Sequence, residues 1–147
     1  MGSLTTLGGA SKTVFLTTEA HKTTIEATAS AAIKKGQPIK LTATGQAAIW
    51  AVADGIDALI GYAYADCASG ELTTIWSRGY AIIYGISNAS QNAGPVKYTS
   101  YDTADAVGGL TGYSKYSAAT VGTDAVNGWA LDNATAANQL IRILLQD

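Results

Sequence analysis

Leu59-Ile60-Gly61-Tyr62-Ala63-Tyr64-Ala65-Asp66, then Cys67-Ala68-Ser69-Gly70, then the run from Glu71 to Tyr84, is the stretch that decides the fold. Two apolar runs around a short polar loop ending in Gly form the pattern of a β-hairpin. With Asp66 set against Glu71, Tyr64 faces Thr73, Tyr62 faces Ile75 and Gly61 faces Trp76. An aromatic ring in that place covers backbone that a strand glycine leaves bare. The second run continues the alternation: Trp76, Arg78, Tyr80, Ile82 and Tyr84 share one side, and Ser77, Gly79, Ala81, Ile83 and Gly85 the other. Small residues on one side suit a strand that meets another backbone closely.

Outward from this stretch the pattern stays β. Thr13 to Thr18, His21 to Ser30, Ile39 to Thr42, Pro95 to Ser100, Trp129 to Leu131 and Leu140 to Leu145 read as short extended runs. Turn signals such as Asp54-Gly55 separate them. No segment holds a helical period over ten residues. The reading is all-β: a small β-barrel or sandwich of short antiparallel strands. Residues 1–18, rich in Gly, Ser and Thr, read as an extended N-terminal arm. Residues 19–147 read as a single β domain with a long Gly-rich loop around 102–127.

Three blocks recur in the same order, which reads as an internal duplication. Gln37-Pro38-Ile39-Lys40-Leu41-Thr42 resembles Gly94-Pro95-Val96-Lys97-Tyr98-Thr99 and contains one of the two prolines, as does its counterpart. Gly61-Tyr62-Ala63-Tyr64 matches Gly128-Trp129-Ala130-Leu131, and Leu72-Thr73-Thr74-Ile75 matches Leu140-Ile141-Arg142-Ile143. The alternative is chance recurrence in a chain dominated by Ala, Thr and Gly.

Composition narrows the function. Only 14% of the 147 residues are charged, against about 25% in ordinary globular chains. Such a surface is either mainly hydroxyl and amide or is covered by partners. A net charge of −2 provides no basic footprint for nucleic acid or an anionic membrane. No apolar run is long enough to span a bilayer, and no basic segment leads into a signal-like apolar one.

The inventory for chemistry is thin. His21 is the only histidine and Cys67 the only cysteine, and neither has a nucleophile or ligand motif around it. Asp54 with Asp57 and Asp102 with Asp105 are carboxylate pairs on expected loops, without the alternating acids of a calcium loop. In Gly108 to Lys115 the lysine does not follow the last glycine as a phosphate loop requires. The expectation is no enzyme, no metal and no cofactor. Aromatics remain: Tyr98, Tyr101, Tyr113 and Tyr116 flank Gly-rich segments and are the interface candidates.

Lys35-Gly36-Gln37-Pro38-Ile39, then Ile60-Gly61-Tyr62-Ala63, then Arg78-Gly79-Tyr80, with Gly128-Trp129-Ala130-Leu131 and Ile141-Arg142-Ile143 behind, resembles the capsid cement (head decoration) proteins of tailed bacteriophages. A head-fibre base protein of the same virions would look similar. The resemblance implies a small β-barrel on the outer surface of the mature head, typically a homotrimer, that binds the major capsid protein and bridges its neighbouring subunits. In that reading Gly36, Pro38, Gly61, Tyr62, Trp76, Gly79, Pro95, Gly128 and Trp129 are scaffold. Leu4, Leu7, Val14, Phe15 and Leu16 of the arm are the capsid anchors. A carbohydrate-binding or adhesion module, with Trp and Tyr stacked on sugars, is the rival from another class.

Overall fold

The computed structural model describes residues 24–77, 82–101 and 113–145. The expected arm with Leu4, Leu7, Val14, Phe15 and Leu16, together with His21, Gly79, Asp102 and Asp105, lies outside the described residues. Ten strands carry the fold: β1 Thr24–Thr28, β2 Pro38–Leu41, β3 Ala47–Ile49, β4 Gly61–Ala63, β5 Leu72–Ser77, β6 Ile82–Ser87, β7 Gly94–Tyr101, β8 Ser114–Ala118, β9 Gly128–Ala130 and β10 Leu140–Leu145. Two single turns of 3-10 helix, Val52–Asp54 and Ile56–Ala58, are the only helical pieces among the described residues. The chain is all-β.

The strands form two five-stranded sheets, one per half of the chain. The first has the order β1-β5-β4-β2-β3, and the second is a closed barrel of β10-β6-β8-β7-β9. The barrel is closed by the parallel pairing of β6 with β8, through Ile86–Lys115 and Ser87–Tyr116. The first sheet is drawn round in the same sense by the parallel bridge Ala29–Ala47, with Ser30 N–H donating to the Ala47 carbonyl at 2.8 Å. Closing a five-stranded sheet in this way leaves no long free edge. Among the described residues the expectation of antiparallel strands holds for every strand pair but β6–β8, and the bridge Ala29–Ala47 is parallel as well.

Duplication is visible bond by bond. Ile39 pairs with Gly61 as Val96 pairs with Gly128. Tyr62 pairs with Trp76 as Trp129 pairs with Leu144. Ile25 pairs with Ile75 as Ile83 pairs with Ile143, and Leu41 with Ala47 as Tyr98 with Tyr116. Even the isolated bridges match, Ile33–Cys67 against Gln91–Ala134. Gly70 and Asn138 occupy corresponding turns, both at positive φ (85° and 62°), and donate to the equivalent carbonyls of Ala29 and Ser87. Asn tolerates that left-handed conformation better than most residues with a side chain. Chance recurrence does not reproduce a hydrogen-bond register.

Three local expectations need correction. The hairpin register is shifted by one residue: Gly61 lies opposite Ser77, Tyr62 opposite Trp76 and Ala63 opposite Ile75. The loop Asp66–Gly70 is tied elsewhere, with Cys67 exchanging hydrogen bonds with Ile33 at 2.9 Å each way, so Asp66 and Glu71 do not set the register. Second, the alternation read from Trp76 to Gly85 does not belong to one strand: β5 ends at Ser77 in the first sheet and β6 opens the second at Ile82. Third, β8 lies within the segment read as a Gly-rich loop. Its inward residues are Ser114 and Tyr116, a polar and an aromatic side chain that do not announce an apolar alternation.

Packing explains the shared glycines. A Cβ on Gly61 would collide with the Trp76 carbonyl, and one on Gly128 with the Leu144 carbonyl. Backbone cannot retreat as a flexible side chain can, so both positions accept only hydrogen there. On the outer side of β4 and β5, Tyr64 stacks on Trp76 with centroids 4.7 Å apart and planes 18° from parallel. Such a pair is worth about 0.5–1.5 kcal/mol beyond its buried area. Gly61→Ala and Gly128→Ala are each expected to lower the unfolding free energy by about 1–3 kcal/mol, the range for overpacked cores. The readout is the urea midpoint at unchanged slope, and an unmoved midpoint would contradict the close approach.

Candidate interaction surfaces

The two halves are joined by aromatic packing. A single apolar cluster contains Trp50, Leu59, Tyr62 and Trp76 from the first half with Ile83, Val96, Tyr98, Tyr113, Tyr116, Ile141 and Ile143 from the second. Trp50 meets Tyr98 with ring centroids 6.4 Å apart, and Tyr98 meets Tyr116 edge-on at 6.1 Å. The Ser114 hydroxyl donates to the Gly36 carbonyl at 2.9 Å inside this contact. Trp50 is held in place by its own loop, its indole N–H donating to the Gly55 carbonyl at 2.7 Å.

Three of the four interface candidates are thereby corrected. Tyr98, Tyr113 and Tyr116 are buried in the chain's own core, and only Tyr101 keeps part of its side chain in solvent. Their position beside a glycine-rich segment suggested exposure, but the paired strands β7 and β8 pack against the first half. Burial raises the pKa of each phenol: Tyr98 despite a hydrogen bond with Gln37, Tyr113 to about 12 with Tyr84 nearby, and Tyr116 well above its ordinary range with Tyr62 and Tyr98 beside it. None is available as a base near neutral pH. Tyr62, Trp76, Trp129, Pro38, Gly61, Pro95 and Gly128 lie in paired strands, and Gly36 at φ 85° in the turn before β2.

The charged groups build local straps. Asp54 Oδ1 receives the Lys40 ammonium at 2.6 Å while its Oδ2 accepts the Ala51 N–H at 2.8 Å. Asp124 repeats the arrangement, taking Lys97 at 2.9 Å and the Thr120 N–H at 2.8 Å. Each carboxylate ties a strand lysine to the following turn, and the pair is one more element the two copies share. Asp132 grips Arg142 through both oxygens and also accepts its backbone N–H. Asp54, expected on a loop, is thus paired with Lys40, a partner that their separation in sequence hid. Among the described residues there is no group of three or more His, Cys, Asp or Glu able to hold a metal ion. No helix among them is long and apolar enough to cross a membrane.

Large apolar side chains are also exposed, scattered over strand ends and turns: Ile25, Leu41, Ile49, Val52, Leu72, Val121 and Leu131, with Tyr64 partly so. Val52 and Val121 precede the two strap aspartates and are equivalent positions. Aliphatic side chains set among threonines, alanines and few charges suit contact with a protein surface more than with a sugar or a phosphate. Sequence reading missed these positions because Ile25, Leu41, Leu72 and Val121 stand singly in polar surroundings, and Ile49, Val52 and Leu131 sit in apolar runs that read as core.

No protein-family model matches the chain, and no curated protein does. Among solved structures, it is similar to the crystal structure of the N base of head fiber gp8.5 of bacteriophage phi29, with a TM-score of 0.55 and 16% identity over 84% of this chain and 93% of that one. At that identity the likeness is one of fold, and it spans both halves.

The straps carry a pH dependence. Asp54 is held below its ordinary carboxylate range of 3.8 first by the Lys40 hydrogen bond and then by the Ala51 N–H. Asp124 is held down first by the Thr120 N–H and then by Lys97, and Asp132 by the Arg142 hydrogen bond. A carboxylate lowered in the fold lends stability that is complete above its unfolded value and is lost as pH falls through the folded one. The urea midpoint is therefore expected to hold from neutrality to about pH 5 and fall between there and about pH 2. Asp54→Asn with Asp124→Asn should flatten that acid limb, and an equally steep limb in the double variant would sink the assignment.

Proposed function

We propose that the chain is a structural protein of a phage virion, seated on the outer surface of the head. The observation that carries the reading is the fold: a five-stranded sheet followed by a closed five-stranded barrel, similar over most of both chains to a phage head-fibre base. The cement-protein resemblance of the Gly-Pro and aliphatic-Gly-aromatic motifs points the same way from the sequence. The low charge and the aliphatic, hydroxyl-rich surface fit broad neutral contacts with a capsid. In this role a homotrimer binds the major capsid protein and bridges its neighbouring subunits. Each copy need cover only a standard patch of about 800 Å² per partner. Many such bridges, acting together over a shell, resist internal pressure by multivalency. No catalytic step is part of the proposal, and a head-fibre base and a cement protein would use the same attachment.

Co-sedimentation tests it. Purified chain is mixed with expanded, DNA-free heads that lack it, taken from the phage that encodes it. Saturable binding at a fixed number of copies per head is expected, with less binding to unexpanded shells. Absence of binding to heads, together with saturable binding on a glycan array, would replace this reading with the adhesion module.

A further inference from the structure

The two halves of the chain do not meet as symmetric partners. A side face of the first barrel, with Gly36, Gln37, Trp50 and Tyr62, receives the β7–β8 end of the second, with Tyr98, Ser114 and Tyr116. One copy's face on the other copy's end is a heterologous contact. The first sheet, called the first barrel for its matching strand order, and the closed second barrel share one strand plan, so each possesses a face and an end. The internal junction uses the first barrel's face and the second barrel's end. The first barrel's end and the second barrel's face are left over.

Both leftover surfaces show exposure where their covered twins are buried. At the first barrel's end, Leu41 and Ile25 hold the ladder positions of Tyr98 and Ile83. Leu41 is 44% exposed and Ile25 38%, whereas Tyr98 is 7% and Ile83 0%. On the second barrel's face, Trp129 and Leu144 stand in the places of Tyr62 and Trp76. Tyr62 and Trp76 are buried, but Trp129 and Leu144 are half-buried, with the exposed Leu131 beside them where Tyr64 stands in the first copy. Lys40 and Arg142, the cations beside these two surfaces, are already neutralised by Asp54 and Asp132. Neither surface therefore carries an unpaired cation from these residues into a contact.

The geometry points to a head-to-tail self-contact: the second barrel's face around Trp129, Leu131 and Leu144 receives the first barrel's end around Ile25 and Leu41 from another copy of this chain. The occupant is a second copy because the molecule already contains one instance of the junction, between its own halves, and the two uncovered surfaces hold the ladder positions of that junction's two sides, with Leu41 for Tyr98 and Trp129 for Tyr62. A heterologous contact either closes into a ring or propagates. The inference concerns how copies meet and does not depend on whether the assembly sits on a phage head.

Light scattering on the full chain and two exposed-site variants tests it, with circular dichroism to establish that each variant is folded. The wild type is expected to exceed one chain mass at micromolar concentration, within the range that modest interfaces reach. Leu41→Glu and Leu131→Glu should each be monomeric alone. Mixed in equal amounts they should form a dimer of one copy each, since the first retains an intact face and the second an intact end. A monomeric wild type, a variant that assembles as the wild type does, or a mixture that stays monomeric would each overturn the proposal.

Discussion

The carbonyl of Trp76 occupies the space where a side chain on residue 61 would begin, and the Leu144 carbonyl does the same at residue 128. Much else in the molecule follows from that approach. It draws β4 onto β5 and β9 onto β10 tightly enough to curve a five-stranded sheet. Curvature brings the first and third strands of each half together as the closing pair. The lysine–aspartate straps then fix the turn that leads into the glycine strand. A sheet that closes on itself has no long edge to guard, which is how a chain with so few charges avoids edge-to-edge pairing.

The sequence made the class and the repeat legible because both rest on features that survive divergence. Glycine at a backbone collision, proline at a strand start and alternating aliphatics cannot be exchanged freely, so Pro38 and Pro95, or Gly61 and Gly128, still align. What escaped was everything fixed by long-range geometry. A register shift of one residue in β4–β5 was invisible because Tyr62, Tyr64, Ile75 and Trp76 satisfy either pairing by character alone. β8 escaped because its inward positions, Ser114 and Tyr116, are chosen to meet the other half and not to fill an ordinary core. The interface tyrosines were misplaced for the same reason: proximity to glycines says nothing of which side of a hairpin is covered.

Divergence between the copies has a direction. Where the first half has Ala47 and Leu41 the second has Tyr116 and Tyr98, while Ala27 gives way to Gly85 and Ala63 is kept as Ala130. Gly85 is the compensation, since a Cβ there would press on the Tyr116 ring at 2.7 Å. The second copy has become the aromatic plug, and the first has become its socket, with Trp50 and Tyr62 as the lip. Two units of one ancestry thus hold unequal parts in one joint.

Strand order also bears on how the chain acquires its shape. In each half the first strand pairs with the last, β1 with β5 and β6 with β10. A growing chain can form the β2–β3 turn as it emerges, but the first barrel must wait until Ser77 has been made before its sides can seal. Pairings of that span are slow to find, because the loop entropy is lost before the contacts that repay it exist. The second half repeats the delay, and its socket is already built when it begins. In each half, then, the sides can seal only once the last strand, β5 or β10, has been made.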